Sequence, residues 1–278
     1  MATTSLVPET ELGNGVTIPQ FGFGVFQIPQ ADTADAVRVA LEAGYRHIDT
    51  AQMYGNEEGV GEGIRQSGLS REDVFVTTKL ANDAHGHDNA INALEGSLRR
   101  LGTDHVDLYL IHWPLPKQRR YVETWQAFEE ILKAGKARAI GVSNFQPAHL
   151  DELAANSGTT PAVNQIELHP YLQQAELREY HRGHGIATEA WSPIAQGEVL
   201  GDDVITGIAR RHGKSPAQVV LRWHIQLGNI VFPKSSTPER VRENIDIFDF
   251  ELSEEDIRAL GGLDRNHRTG FDPDTFNG

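Results

Sequence analysis

The chain has no cysteine among its 278 residues, which excludes disulfides, thiolate metal sites and a cysteine nucleophile together. No run approaches the roughly 18 apolar residues of a membrane span. The opening stretch, MATTSLVPETELGNG, has neither a basic n-region nor an apolar h-region, so no export signal is visible. The expectation is a cytoplasmic protein with no membrane partner. Linker-like and low-complexity stretches are also missing, and residues 1–278 are expected to form a single domain acting as a monomer. Positive charge is in deficit, with 25 Lys and Arg against 39 Asp and Glu and a net charge of −14. A field of that sign repels nucleic acid. It also repels an anionic cofactor, unless a basic cluster reverses the potential locally.

What is present has a repeating plan. A helical pattern ends at a glycine and a short β-rich run follows. Gly44 precedes YRHIDT, Gly68 precedes DVFVTTK, Gly102 precedes HVDLYLIH and Gly135 precedes KARAIGVS. Gly158, Gly185 and Gly228 introduce AVNQIE, IATEAWS and NIVFPK in the same way. Glycine supplies the left-handed conformation that stops a helix. The helices between are amphipathic. In 121–134, Val122, Trp125, Phe128 and Leu132 share a face; in the first, Ala36, Val37, Ala40 and Leu41 do so, with Asp32 or Thr33 as cap. Trp125 and Trp223 fall within such patterns and are expected in the core.

With FGFG at 21–24 as the first strand, eight strands alternate with helices, which implies a parallel sheet. Eight such units in this length point to an α/β fold of the (β/α)8 TIM-barrel type. Ahead of it, Asn14-Gly15 between ETEL and VTIP reads as an N-terminal β-hairpin with a two-residue turn, placed to cover the barrel's bottom.

Several motifs fail. Gly22-Phe23-Gly24 is not followed by the rest of a dinucleotide fingerprint, and Gly213-Lys214-Ser215 lacks the opening glycine of a phosphate loop. Gly141-Val142-Ser143-Asn144 ends at Phe145, where a nucleophile elbow needs glycine. His85 with His87, and His181 with His184, read as surface histidines rather than metal ligands, and no metal is expected.

One constellation survives. Barrel chemistry sits at the C-terminal ends of the strands. There the second strand ends at Asp49 with Tyr54 in the loop beyond, the third ends at Lys79 and the fourth at His112. Taken singly, each has a plain structural use as a cap, a salt-bridge partner, a loop residue or a satisfied strand end. Together, a Lys79 ammonium favours the Tyr54 phenolate and is expected to lower its pKa. Asp49 can hold the lysine charged, and His112 can donate to a carbonyl oxygen. Such a set suits protonation of an oxygen that gains negative charge, with hydride supplied from outside.

GYRHIDTAQMYGNEEGVG, VTTKL, LYLIHWP, IGVSNF, NQIELHP and PKSSTPERVRENIDIF, in that order along nearly the whole chain, resemble the aldo-keto reductase family. The likeness is nearest to prokaryotic 2,5-diketo-D-gluconate reductase-like members. The resemblance implies NADPH-dependent reduction of a small aldehyde or ketone, with Tyr54 as acid, Lys79 and Asp49 tuning it and His112 orienting substrate. It implies that Trp191 stacks on the nicotinamide and that Ser143, Asn144 and Gln165 hold its amide. It places Ser192 and Pro193 at the pyrophosphate, and Lys234, Ser235, Ser236, Arg240, Glu243 and Asn244 at the adenosine 2′-phosphate and adenine. Phe26, Ala81 and Trp113 become pocket walls. Many relatives carry tryptophan at the position of Ala81 and Trp or Tyr at that of Phe26, so an enlarged pocket tolerating bulkier or more polar carbonyls is expected. Residues 264–278 could fold over it. Left open are a non-catalytic NADPH-binding barrel subunit, a carboxylate-pair glycosidase and a metal hydrolase.

Overall fold

In the computed structural model, which describes residues 7–278, eight parallel strands among the described residues close into a barrel. Two short antiparallel strands precede it, β1 (Glu9–Glu11) and β2 (Thr17–Pro19). The barrel strands are β3 (Phe23–Gly24), β4 (His47–Asp49), β5 (Phe75–Leu80), β6 (Val106–Ile111), β7 (Ala137–Ser143), β8 (Val163–Glu167), β9 (Ala187–Trp191) and β10 (Ile230–Val231). Each pairs with its neighbour in sequence, and helices fill every interval. Closure runs through a bridge from Phe21 to Val231, where Gly22 N–H donates to Val231 O at 2.8 Å and Val231 N–H to Gln20 O at 2.9 Å. β5 and β6 are buried along their whole length, so the polar residues among their apolar ones must be met inside: Thr77 lies 3.0 Å from His47 Nε2, Thr78 donates to Glu57 at 2.6 Å, Lys79 to Asp49 at 2.7 Å, and Asp107 accepts from Arg71 at 2.7 Å.

The first strand is shorter than FGFG, with Phe21 held by a single bridge. A side chain at Gly22 would overlap the His47 ring, and one at Gly24 would press on the Phe232 carbonyl, so both glycines serve close approach. The first helix, Gln30–Glu42, starts directly after Pro29, earlier than Asp32 or Thr33. Thr33 lies inside it and turns its hydroxyl back to the Pro29 carbonyl at 2.8 Å. The fifth helix, Pro147–Asn156, stops without a left-handed glycine. Ser157 leaves it in extended conformation and its Oγ accepts from Thr159 N–H at 3.0 Å, so Gly158 does not act as its stop.

The hairpin turn holds three residues instead of two. Leu12 N–H donates to Val16 O and Gly15 N–H to Leu12 O, each at 2.8 Å, with Gly15 at φ 81°. A left-handed third residue lets such a loop match the strand twist. Leu12 and Ile18 then pack against Phe75, Leu108, Leu110, Ala139 and Ile230, closing the barrel's N-terminal end. Trp125 and Trp223 are fully buried. No described helix is long and apolar enough to cross a membrane.

Candidate active site

Strand register delivers the four side chains. Asp49 is the last residue of β4, Lys79 the penultimate residue of β5 and His112 follows β6 directly. Tyr54 ends a single 3-10 turn, Gln52–Tyr54, stopped by Gly55 at φ 66°. Lys79 is fully buried. Its three N–H bonds all find acceptors: Asp49 Oδ1 at 2.7 Å, the Thr50 carbonyl at 2.8 Å and the Tyr54 hydroxyl at 3.5 Å. The Tyr54 and His112 rings meet edge to face with centroids 5.9 Å apart.

Burial opposes the charge on Lys79, but Asp49, Tyr54 and Glu189 outweigh it and raise the ammonium above its ordinary range. Burial pushes the Tyr54 phenol up; Lys79 pulls it back and Asp49 pushes it further. The net direction is up, which corrects the expectation of a lowered value. Desolvation of the phenolate wins, so the hydroxyl keeps its proton at neutral pH. Burial, and then Lys79, hold His112 well below the usual histidine value, so it is a neutral imidazole.

A polar chain links these groups to the next strand ends. Gln165 Nε2 donates to Asp49 Oδ2 at 2.9 Å and to Glu189 Oε2 at 2.8 Å. Ser143 Oγ donates to Gln165 O at 2.8 Å. Asn144, left-handed at φ 65°, donates to the His112 carbonyl at 3.0 Å and accepts from Trp191 Nε1 at 2.8 Å. That last bond fixes the plane of the indole. Ser192 follows at φ 48°, and the Pro193 carbonyl is anchored by His224 Nε2 at 3.1 Å.

At the end of the eighth barrel strand the helix Pro238–Ile245 begins. Lys234, Ser236, Arg240 and Glu243 are exposed there, Asn244 is half-buried, and Ser235 is buried, its Oγ accepting from Thr237 N–H at 3.2 Å. Lys234 and Arg240 make no ion pair among the described residues. Two free cations beside a helix N-terminus form the local positive site that the net charge requires for an anion. With the fixed indole face, this donor set fits a phosphorylated, ring-bearing cofactor.

Phe26 is 54% exposed and leans on Tyr54 with ring centroids 5.0 Å apart. Ala81 is buried, its N–H donating to Gln52 Oε1 at 3.2 Å. Trp113 packs under Phe276, with centroids at 4.6 Å.

Residues 18–265 match the family described as "Aldo/keto reductase family". The chain belongs to the aldo/keto reductase family. It is 56% identical over 270 residues to an aldo-keto reductase of Mycolicibacterium smegmatis, covering 97% of this chain and 98% of that one. It is 50% identical over 272 residues to the glyoxal reductase of Bacillus subtilis, with 98% of each chain covered. A crystal structure of a mutant of Gox0644 in complex with NADPH superposes with a TM-score of 0.94 at 47% identity, covering 97% of this chain and 98% of that one.

In this aldo/keto reductase the sequence-level candidates converge as a connected set from β4 to β9, with the Lys234–Asn244 group at the neighbouring strand end. Three features escaped sequence reasoning. Glu189 is buried between Gln165 and His47, and burial, then the charge of Asp49, pushes it up to about 8. Glu167 is buried against the C-terminal tail. Gly270 lies against the Trp191 ring. The available signal was a carboxylate within a short barrel strand, at the end of VNQIE, which is buried throughout, and in the middle of ATEAW, where Glu189 and Ala190 are the buried pair. The histidines also need correction. His85 and His181 are buried rather than on the surface, and no metal-holding cluster occurs among the described residues.

Proposed function

We propose that this oxidoreductase reduces aldehydes or ketones to alcohols with NADPH, working as a single-domain monomer. The observation that carries the reading is the buried Lys79 ammonium, which bonds Asp49 and the Tyr54 hydroxyl at once. Trp191, Ser143, Asn144 and Gln165 would hold the nicotinamide, Ser192 and Pro193 the pyrophosphate, and Ser235, Ser236, Glu243 and Asn244 the adenosine portion. When bound, the cofactor supplies the hydride.

The chain's own residues do the rest. Tyr54 keeps its proton until the carbonyl oxygen becomes basic and then gives it up, and the phenolate left behind faces Lys79. That ammonium stabilises the new charge across a water-poor site, where such attraction exceeds its value in water. His112, a neutral imidazole, orients the carbonyl without competing for the proton. Lys234 and Arg240 distinguish a 2′-phosphate from a bare hydroxyl. For substrate, the small side chain of Ala81 and the exposed ring of Phe26 against Tyr54 support polyfunctional carbonyls. 2,5-Diketo-D-gluconate is the first candidate, and glyoxal enters through the Bacillus relative's name.

Tyr54→Phe tests the reading. Carbonyl-dependent NADPH oxidation should fall by about 10²-fold or more, the usual worth of a positioned general acid. NADPH should still quench tryptophan fluorescence. Turnover near the wild-type rate would remove Tyr54 from the proton-donor role. A wild-type protein that binds NADPH yet reduces no carbonyl in a broad panel would favour the non-catalytic barrel subunit.

A further inference from the structure

Glu167 is the last residue of β8 and stands in register with Trp191, the last of β9. Its side chain has no exposed surface. A carboxylate taken out of water is costly unless every lone pair is met. The nearest cation, Arg268, stays 3.9 Å away, so hydrogen bonds must do this. Thr269 N–H reaches Oε1 at 2.6 Å and the Thr269 hydroxyl reaches it at 2.7 Å. Gly270 N–H reaches Oε2 at 3.2 Å, and His169 Nε2 lies 3.1 Å from Oε1. Burial pushes the carboxyl pKa up, yet these bonds prevail and hold it below the usual value. Three of the four bonds come from the C-terminal tail.

The same tail touches both sides of the candidate site. Gly270 lies so close to Trp191 that an added methyl would overlap the indole. Just upstream, His267 bonds Glu198 at 2.8 Å in the segment after β9. Just downstream, Phe271 and Phe276 stack on each other, with centroids 4.7 Å apart, and both face Trp113. Asn277 then ties down the end of the run by accepting from Lys117 N–H at 2.8 Å. The strap has neither helix nor strand, and Arg265 N–H and His267 N–H also hold it by donating to the Tyr171 carbonyl at 3.2 and 3.0 Å; Glu167 is the buried anchor of its Thr269–Gly270 stretch, the part that meets Trp191.

We propose that Glu167 is a positioning residue that latches the C-terminal tail across the barrel mouth, so that one buried carboxylate sets both the cofactor-facing indole of Trp191 and the substrate-facing wall at Trp113. The proposal rests on the functional reading above for the words cofactor and substrate. The latch itself stands on the contacts alone. It couples the two halves of the site: tail, indole and aromatic wall shift together or not at all.

Glu167→Gln is the test, because it keeps the shape, removes the charge and turns one acceptor into a donor facing the tail. Amide hydrogens of residues 264–278 should exchange about tenfold faster or more, the change expected when a charge-assisted bond is lost. NADPH, titrated by tryptophan fluorescence, should bind about fivefold or more weakly, as lost preorganisation implies. KM for a bulky aryl ketone should rise more than KM for glyoxal, with kcat for glyoxal within about twofold of wild type, as expected when only uniform binding is lost. Gly270→Ala displaces the strap at its contact with Trp191; the double variant should bind NADPH no worse than Glu167→Gln alone. Unchanged tail exchange, or strictly additive losses, would overturn the latch. If Glu167→Gln does not fold, Glu167→Asp keeps the charge on a shorter arm, and wild-type tail exchange in it would equally overturn the proposal. Failure of the wild type to bind NADPH would instead sink the functional reading and leave the exchange result intact.

Discussion

Arg240 sits exposed in the first turn of the helix Pro238–Ile245 and makes no ion pair among the described residues. A guanidinium in that state is available to fork onto a phosphate. Arg240→Ala should therefore weaken NADPH binding by about 10- to 100-fold, the worth of one or two charge-assisted bonds. NADH, which lacks the phosphate, should be little affected, and fluorescence titration of both reads the contrast. Equal losses for the two would count against this contact. Asp49, Lys79 and His112 were visible in sequence because each stands at the end of a strand run, where a polar residue has few other uses, and Tyr54 because it lies in the short loop just beyond Asp49. Their pKa order was not visible. Whether Lys79 or burial controls Tyr54 depends on how deeply the phenol sits, and that depth comes from Phe26, His112 and the turn at Gly55 together.

Helix Glu57–Ser67 carries Gly59, Gly61 and Gly63 in eleven residues, a composition that weakens an isolated helix. Packing explains it. Added methyl groups at Gly59 and Gly63 would collide with Thr33, Ala34 and Val37 of the first helix, and one at Gly61 with the Leu101 carbonyl. Gly61→Ala should therefore destabilise the protein by about 1–3 kcal/mol, as overpacking does, although alanine is the better helix former. A lowered midpoint in urea would show it; a raised one would mean that propensity wins. Element order and the strand-ending residues were legible because apolar runs and helix stops alternate. Exact boundaries were less so. Asp32 and Thr33 look like caps, but Pro29 starts that helix, and Gly158 looks like a stop where Ser157 does the work. The helix Tyr121–Lys133 is turned slightly on its axis relative to its apolar pattern: Tyr121 and Ile131 are buried with Trp125 and Phe128, whereas Val122 and Leu132 are half-buried.

At the scale of the whole molecule, the buried histidines outnumber the raised carboxyls of Glu189 and Asp49, which favour the fold as pH falls, and so they dominate the response to acid. Burial lowers His47 and His224 to about 3, and His85 and His181 to about 4. Their unfolded value is 6.5. Between that value and about 4 the unfolded chain binds more protons than the folded one. The contribution of these groups is thus complete above 6.5 and is lost progressively as pH falls. Urea unfolding between about pH 7 and pH 4 should show stability declining with acid, and His224→Gln should reduce the slope by about one proton. A slope unchanged in that variant would remove His224 from the account.

The hairpin at the other end carries a further consequence. Leu12 and Ile18 close the barrel away from Tyr54, and the residues they touch are not those that meet the tail or the strand ends. Durability and chemistry therefore occupy opposite poles of one cylinder. The lower pole can be rebuilt for heat or solvent tolerance while the upper one is left alone, and a chain so divided can evolve new selectivity without first surrendering its fold.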